Sequence, residues 1–409
     1  MLLWACSSNE PVMSLESDQD LENVSNIRTP EEAIAAAEES YSNFFKTTSR
    51  SSISADKKVI AVPSHSFGSA RSGKDTVLYI VNFEDNKGFA IVNALRMGTE
   101  IIGISDSGNY NTESPDSNPP GLEMFLGQCQ NITATYLAAK DKGISGDIGT
   151  FYSRSDTLMT DFSEPKVKTI WSQGSFFGKY CPNGIVGCGP LALGMALSAY
   201  KQPTAINLDF PDTPTSRITT LWDQIIPLNE YSANNYSQSA KDNVALFLRQ
   251  IGHIMDAKYN PGVTSTYFDN NNSTAKFLAE GTSLTVSNPT PKAEILNIPK
   301  ADLKKGVAVV RGVGNFGGHA WVSDGYLDYT IYVTDYFETS AGKISIIGHH
   351  ETELHYVHMN WGWGGQSNGY FTLDYLLTSS PVIPDNNRPM VSEKYEYDFR
   401  YYIISSAGN

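Results

Sequence analysis

Positive charge is in short supply in this chain: 30 Lys and Arg stand against 44 Asp and Glu, giving a formal net charge of −14 and a pI near 4.9. Affinity for a polyanion rests on cationic side chains meeting phosphates, so no nucleic acid and no anionic membrane surface is expected as a partner. The acidic excess reads as a soluble, extracytoplasmic surface. Cysteine is also sparse, and four in 409 residues do not make the disulfide framework of a small secreted scaffold. No stretch approaches the roughly 20 consecutive apolar residues that cross a bilayer, and no internal repeat is visible. Hydrophobic residues at 40% and aromatics at 11% are nevertheless those of a chain that buries cores. The length of 409 residues implies two or three domains.

The start, Leu2-Leu3-Trp4-Ala5-Cys6 followed by Ser7-Ser8-Asn9-Glu10, resembles the end of a bacterial lipoprotein signal, in which a small residue precedes a lipidated cysteine. A signal needs a basic region and roughly 7 to 15 apolar residues, more than the five residues before Cys6. Either the start is placed too far downstream or the likeness is accidental, and the first reading is the one expected here. Residues 1–28 are then a signal remnant and tether, with an outer-membrane lipid anchor through Cys6 as a candidate.

From Thr29, Thr-Pro-Glu-Glu-Ala-Ile reads as an N-capped helix ending near Phe45. Between Lys57 and Ile104 the runs Val59 to Val62, Val77 to Phe83, Gly88 to Ala94 and Glu100 to Ser105, separated by turns such as Asp85-Asn86-Lys87-Gly88, predict a small antiparallel sheet. A helix from Gly121 to about Lys140 closes this unit; within it Phe125, Cys129, Ile132 and Tyr136 form an apolar stripe that buries Cys129. Asp141 to Arg154, rich in Gly, Ser and Asp, reads as a linker or cleavage region. The spacing thus predicts units at 29–150 and 151–409. In the second, helices are expected from Cys188 and over Ser239 to Gly252. Strands follow at Val307 to Arg311, Ala320 to Gly325, Ile331 to Thr334, Lys343 to Ile347, Leu354 to Asn360 and Gly369 to Leu373, an α+β order.

Cys188 and His319 lie 131 residues apart, inside the window of roughly 130 to 150 for a cysteine nucleophile and the histidine that activates it. A thiol at a helix N-terminus is acidified by unsatisfied N–H groups and the helix dipole. Gly187, Gly189 and Pro190 around Cys188, followed by an apolar run to Tyr200, give that setting. Gly317 and Gly318 precede His319 at a strand start, where small residues let a peptide substrate approach the backbone, and Gly187 does the same beside the cysteine. In Asn360-Trp361-Gly362-Trp363-Gly364-Gly365 the asparagine has the chemistry to orient an imidazole and the indole to keep water off that bond. Read blandly, these are a buried thiol, a strand histidine and a tight aromatic turn. Cys181 is expected to stay free, because a bridge to Cys188 would consume the nucleophile.

Trp171-Ser172-Gln173-Gly174, Val186-Gly187-Cys188, Gly318-His319-Ala320 with Asp324-Gly325, and Asn360-Trp361-Gly362-Trp363-Gly364-Gly365 together resemble the streptopain family of papain-like cysteine peptidases. Lys87-Gly88-Phe89-Ala90-Ile91-Val92 and Ile104-Ser105-Asp106-Ser107-Gly108 resemble the propeptide of that family. The resemblance implies a papain-like domain, a helical part plus a twisted antiparallel sheet, preceded by a small α+β inhibitory propeptide. It implies Cys188 as nucleophile, His319 as its partner, Gln173 as oxyanion donor, Asn360 as orienter and Trp361 as shield. It implies endopeptidase action on protein or peptide substrates, without metal or cofactor. Gly189-Pro190 departs from the Val-Ala continuation of the family, which bears on helix-start geometry and pocket shape.

Gly312-Val313-Gly314-Asn315-Phe316-Gly317 matches a dinucleotide fingerprint but leads into a strand, so no helix N-terminus awaits a pyrophosphate. His349, His350, Glu351, His355 and His358 lack the His-Glu-x-x-His spacing of a zinc hydrolase. The competing class is a peptidase-fold binding or adhesion lipoprotein without catalysis.

Overall fold

The computed structural model describes residues 27–45, 55–63, 76–95, 99–112, 117–141, 150–211, 213–268, 272–293, 296–314, 317–338, 344–372 and 398–407. Cys6, the tether and most of the expected linker lie outside them.

The elements run α1 (Pro30–Phe45), β1 (Ala55–Pro63), β2 (Thr76–Phe83), β3 (Phe89–Asn93), β4 (Ile101–Ser105), α2 (Pro120–Asp141), β5 (Thr150–Ser163), α3 (Cys188–Ser198), β6 (Ala205–Leu208), β7 (Ser216–Thr219), α4 (Trp222–Ile225), α5 (Gln238–Ile254), β8 (Lys258–Asn260), β9 (Val263–Ser265), α6 (Asn272–Gly281), β10 (Leu284–Val286), α7 (Lys300–Lys305), β11 (Gly306–Gly314), β12 (Gly317–Glu338), β13 (Ile344–Asn360), β14 (Gly369–Phe371) and β15 (Asp398–Ser406). Helix α1 starts as its sequence dictates. Thr29 Oγ1 accepts from Glu32 N–H at 3.3 Å and the Glu32 carboxylate accepts from Thr29 N–H at 2.8 Å, a reciprocal capping box.

The α+β class is as expected, but the N-terminal strands do not form a separate small sheet. One antiparallel sheet runs β1-β2-β3-β4-β14-β13-β12-β11-β15-β10, with β5 also paired to β12. The join is short: Gly369, Tyr370 and Phe371 of β14 pair with Ser105, Ile104 and Gly103 of β4 on one side and with Met359, His358 and Val357 of β13 on the other. Two further differences have local causes. The strands expected at Ala320 to Gly325 and Ile331 to Thr334 are one long strand, because residues 326–330 between them pair in unbroken register with residues 353–357 of β13. The latter part of the expected linker is β5, whose residues 150–163 pair with 326–338 of β12.

Both faces of the sheet are covered. On one, α3, α4 and α5 bury Val307, Val309, Ala320, Val322 and Tyr402, and α1 packs its Ala33, Ala37 and Tyr41 on Tyr79, Val81 and Val92. On the other, Leu122, Phe125, Leu126 and Cys129 of α2 share a core with Val310, Trp321, Met359, Trp361 and Phe371. Cys129 is buried, as its helical stripe predicts, and Cys181 is buried and free. Among the described residues no helix is long and apolar enough to cross a membrane.

Candidate active site

Cys188 opens α3 behind Gly187, the N-cap, whose φ of 92° strains any residue with a side chain. A Cβ at 187 would stand 2.7 Å from Thr264 Cγ2, so glycine lets β9 close against the cysteine turn. Thr264 Oγ1 donates to Ile185 O at 2.8 Å, and Asn183 Nδ2 donates to Asn260 O at 2.7 Å, fixing that approach. The rest of α3 is buried, so the core holds the cysteine backbone in place.

Cys188 is half-buried. Desolvation is the larger influence and raises its thiol pKa, while backbone N–H groups of Ala320, Gly189 and Cys188 itself lower it. The sulfur therefore meets both the helix start and strand β12. Burial outweighs the acidifying helix start, and at neutral pH the group is a thiol.

The sequence leaves open which face of β12 carries His319. Successive side chains of a strand point to opposite faces, and here Ala320 and Val322 lie with α3 whereas Trp321 lies with α2. His319 takes the side of Trp321, its ring stacked at a centroid distance of 6.2 Å and 19° between planes. A Cβ added to Gly121 at the start of α2 would lie 3.3 Å from His319 Cδ2 and 2.5 Å from Trp361 Cε3. Only glycine allows that approach, and α2 covers the imidazole, leaving His319 4% exposed. Its Nε2 donates to Trp361 O at 3.2 Å. Burial lowers its pKa to about 4, with the Trp361 carbonyl opposing, so the ring is neutral. The structure thus brings the His319 strand to Cys188 through Ala320 and turns the imidazole to the opposite face.

Asn360 pairs with Val322 across the ladder and so faces the side of Cys188. Its Nδ2 donates to Thr169 O at 2.9 Å and its Oδ1 accepts from Gly362 N–H at 3.2 Å. In this arrangement the nearest partner of the imidazole is the Trp361 carbonyl, and the Asn360 amide is engaged elsewhere. Gln173 is set between the two motif loops: its carbonyl accepts from Val186 N–H at 2.9 Å, and the Trp171 carbonyl accepts from Gly364 N–H at 3.1 Å. Trp361 is buried beside Phe371, with Nε1 donating to Ser367 O at 2.7 Å. Gly317 and Gly318 are exposed at the start of β12.

Sequence reasoning missed the partner of this loop. Ser107 Oγ donates to Gly365 O at 2.8 Å, Ser105 Oγ to Asn368 O at 2.6 Å, and Trp363 Nε1 to Ser117 O at 3.1 Å. Residues 105–107 and 117 thus grip the tryptophan loop from behind, and Gly121 covers His319 in front. Ser105 and Ser107 belong to the Ile104-to-Gly108 string of the propeptide resemblance, and Gly121 follows Pro119-Pro120 at the start of α2, but neither signal says what it packs against.

The late histidines are in strands as expected. His355 Nδ1 is 2.5 Å from Asp328 Oδ1 and His358 Nδ1 is 2.6 Å from Asp324 Oδ1; among the described residues no cluster could hold a metal ion. The glycines from 312 to 317 belong to two strands, β11 and β12, and open no helix.

Comparison with known proteins adds two matches to families. The peptidase C10 family matches residues 171–371, and the Spi protease inhibitor matches residues 24–133. Streptopain of Streptococcus pyogenes is 23% identical over 334 residues, 74% of this chain and 75% of that protein. Streptopain of the serotype M1 organism is 22% identical over the same length. Among solved structures, a fragment of Prevotella intermedia prointerpain A covers 84% of this chain and 97% of its own, at 19% identity and a TM-score of 0.49.

Proposed function

Because the chain belongs to the peptidase C10, or streptopain, family and carries a propeptide inhibitor ahead of its peptidase segment, we propose that it is a cysteine endopeptidase held latent by residues 29–150, with residues 151–409 as the peptidase. The observation that carries this reading is the division of the site. Cys188 and Asn360 face one side of the sheet, while the start of α2 covers His319 on the other. Both prospective partners are uncharged there, as latency requires, since a thiolate–imidazolium pair needs the thiol lowered and the imidazole raised. Loss of the α2 contact frees the start of β12, behind Gly317 and Gly318, to turn His319 toward Cys188 and the Asn360 carbonyl.

In the active arrangement the Cys188 thiolate adds to a peptide carbonyl, and the oxyanion is held by Gln173 and the Cys188 backbone N–H. The carbon–nitrogen bond breaks as the His319 imidazolium gives its proton to the leaving amine. A water, deprotonated by the neutral imidazole, hydrolyses the thioester and returns a carboxylate and the thiolate. Asn360 orients the imidazole, Trp361 shields that bond, and Gly187, Gly317 and Gly318 admit the substrate backbone. Residues 150–163 are engaged along β12, which favours processing ahead of Thr150. The lipoprotein-like start and the acidic surface support an extracytoplasmic enzyme, secreted or anchored through Cys6.

N-terminal sequencing of incubated wild type and Cys188→Ser tests self-processing: only the wild type shortens, and equal shortening of both rules it out. Titration with a thiol-alkylating peptide analogue tests the enzyme itself. Stoichiometric loss of activity is expected after processing; an unlabelled, inactive product would instead favour a peptidase-fold binding protein.

A further inference from the structure

On the reading of the chain as a cysteine peptidase, we propose that Asp324 is a positioning residue: its buried carboxylate seats the segment that carries Gln173, and so acts on the oxyanion side of the site rather than on the thiol. The basis is a one-residue bulge in β12. Ser323 pairs with Met359 and Gly325 with His358, so Asp324 stands opposite no residue of β13, and a bulge of this kind re-aims the side chain it carries. The carboxylate is fully buried, where an unpaired charge would be costly. His358 Nδ1 donates to its Oδ1 at 2.6 Å, and the Val167 N–H donates to its Oδ2 at 2.6 Å.

The second of these bonds is the informative one, because Val167 lies six residues before Gln173. Between the end of β5 and Gln173 the chain is neither helix nor strand, so this strap sits where its ties hold it. A Cβ at Gly325 would stand 2.7 Å from Ser163 O, and glycine there lets the strap enter close against β12. Lys166 N–H donates to Asp324 O at 3.3 Å, and Lys166 Nζ donates to Gly306 O at 3.1 Å. Further along, Asn360 Nδ2 holds Thr169 O and the Gly364 N–H holds Trp171 O. Among these ties Asp324 supplies the anionic acceptor, and hydrogen bonds to an ionised group are about twice as strong as neutral ones. Cys188 is fixed separately, by the buried helix α3. Release of the strap at Val167 therefore displaces the oxyanion donor and leaves the nucleophile in place.

The test is a double-mutant cycle on the full chain with a specific cleavage site introduced ahead of Thr150, folded, cut and compared as wild type, Asp324→Asn, Gln173→Ala and the two together. Asparagine keeps the shape of the side chain and removes its charge. Hydrolysis of a peptide amide is read beside alkylation of Cys188 by iodoacetamide, which forms a sulfur–carbon bond with loss of iodide and develops no oxyanion. Asp324→Asn is expected to lower kcat about 10- to 100-fold with the alkylation rate within about twofold of wild type. In the Gln173→Ala background it should cost less than about twofold more, because both changes act through one donor. Gly325→Ala, which presses on the strap at Ser163, should give the same pattern, and it decides the matter by the same outcomes if Asp324→Asn lacks a native near-UV spectrum. Losses that multiply in full, an equal fall in alkylation, or an unchanged kcat overturns the proposal. A cut wild type that hydrolyses no peptide overturns the peptidase reading, and this inference with it.

Discussion

Three residues bear on the latency and the chemistry proposed for the site. Gly121 matters because a Cβ there would enter the Trp361 ring at 2.5 Å. Overpacking of that kind costs about 1–3 kcal/mol, so Gly121→Val should raise the population of the uncovered site about 5- to 150-fold. Faster alkylation of Cys188 in the uncut chain checks this, and an unchanged rate would remove the α2 start from latency. For His319 the sign follows from burial. A base whose pKa is depressed from its ordinary value near 6.5 to about 4 is disfavoured in its charged form. The covered arrangement therefore loses stability as pH falls from about 6.5 toward 4. Nuclear magnetic resonance of Cys188→Ser should show the His319 ring titrating near 4 in the intact chain and at or above about 6.5 after processing. Gln173→Ala should lower kcat/KM roughly 100- to 1000-fold with the near-UV spectrum intact; a fully active variant would exclude it as an oxyanion donor. Spacing and flanking glycines made Cys188 and His319 legible as candidates. The face taken by His319 was not, since Ala320, Trp321 and Val322 are all apolar and buried, and alternation without a polar face gives no sign of direction.

At the scale of elements, legibility followed the strength of local signals. Helices α1, α2, α3 and α5 began within a residue or two of their sequence caps, whereas β12 and β13 were longer than their pattern because the residues between their expected strands pair with each other across the ladder. Strand β5 was hidden by its own composition, since Ser, Asp and Thr read as linker until a long partner strand was available to pair with them. Its role is to cover an edge. Without it β12 would present unpaired backbone from Tyr326 to Glu338, an invitation to pair with other chains. A peptidase released by a cut ahead of Thr150 should stay monodisperse in light scattering, and one released after Ser163 should self-associate; identical behaviour would deny β5 that role. Asp161, which meets Lys300 at 3.3 Å and Lys304 at 3.1 Å on the surface, is a lesser tie. Asp161→Ala should leave Tm nearly unchanged.

For the whole molecule, composition indicated two units and the sheet joins them. A shared core and a continuous ladder couple their unfolding, so calorimetry of Cys188→Ser should show one transition, and two resolved peaks would show that the units melt apart. The junction was beyond sequence reading because β4 and β14 are far apart along the chain and short, and only the assembled tryptophan loop sets them side by side. The pairing of β5 also bears on what a cell would accumulate. Exopeptidases that nibble a freshly exposed terminus from the amino side meet no obstacle until they reach backbone already zipped into a ladder, so ragged early products should converge on a single polypeptide beginning close to Thr150.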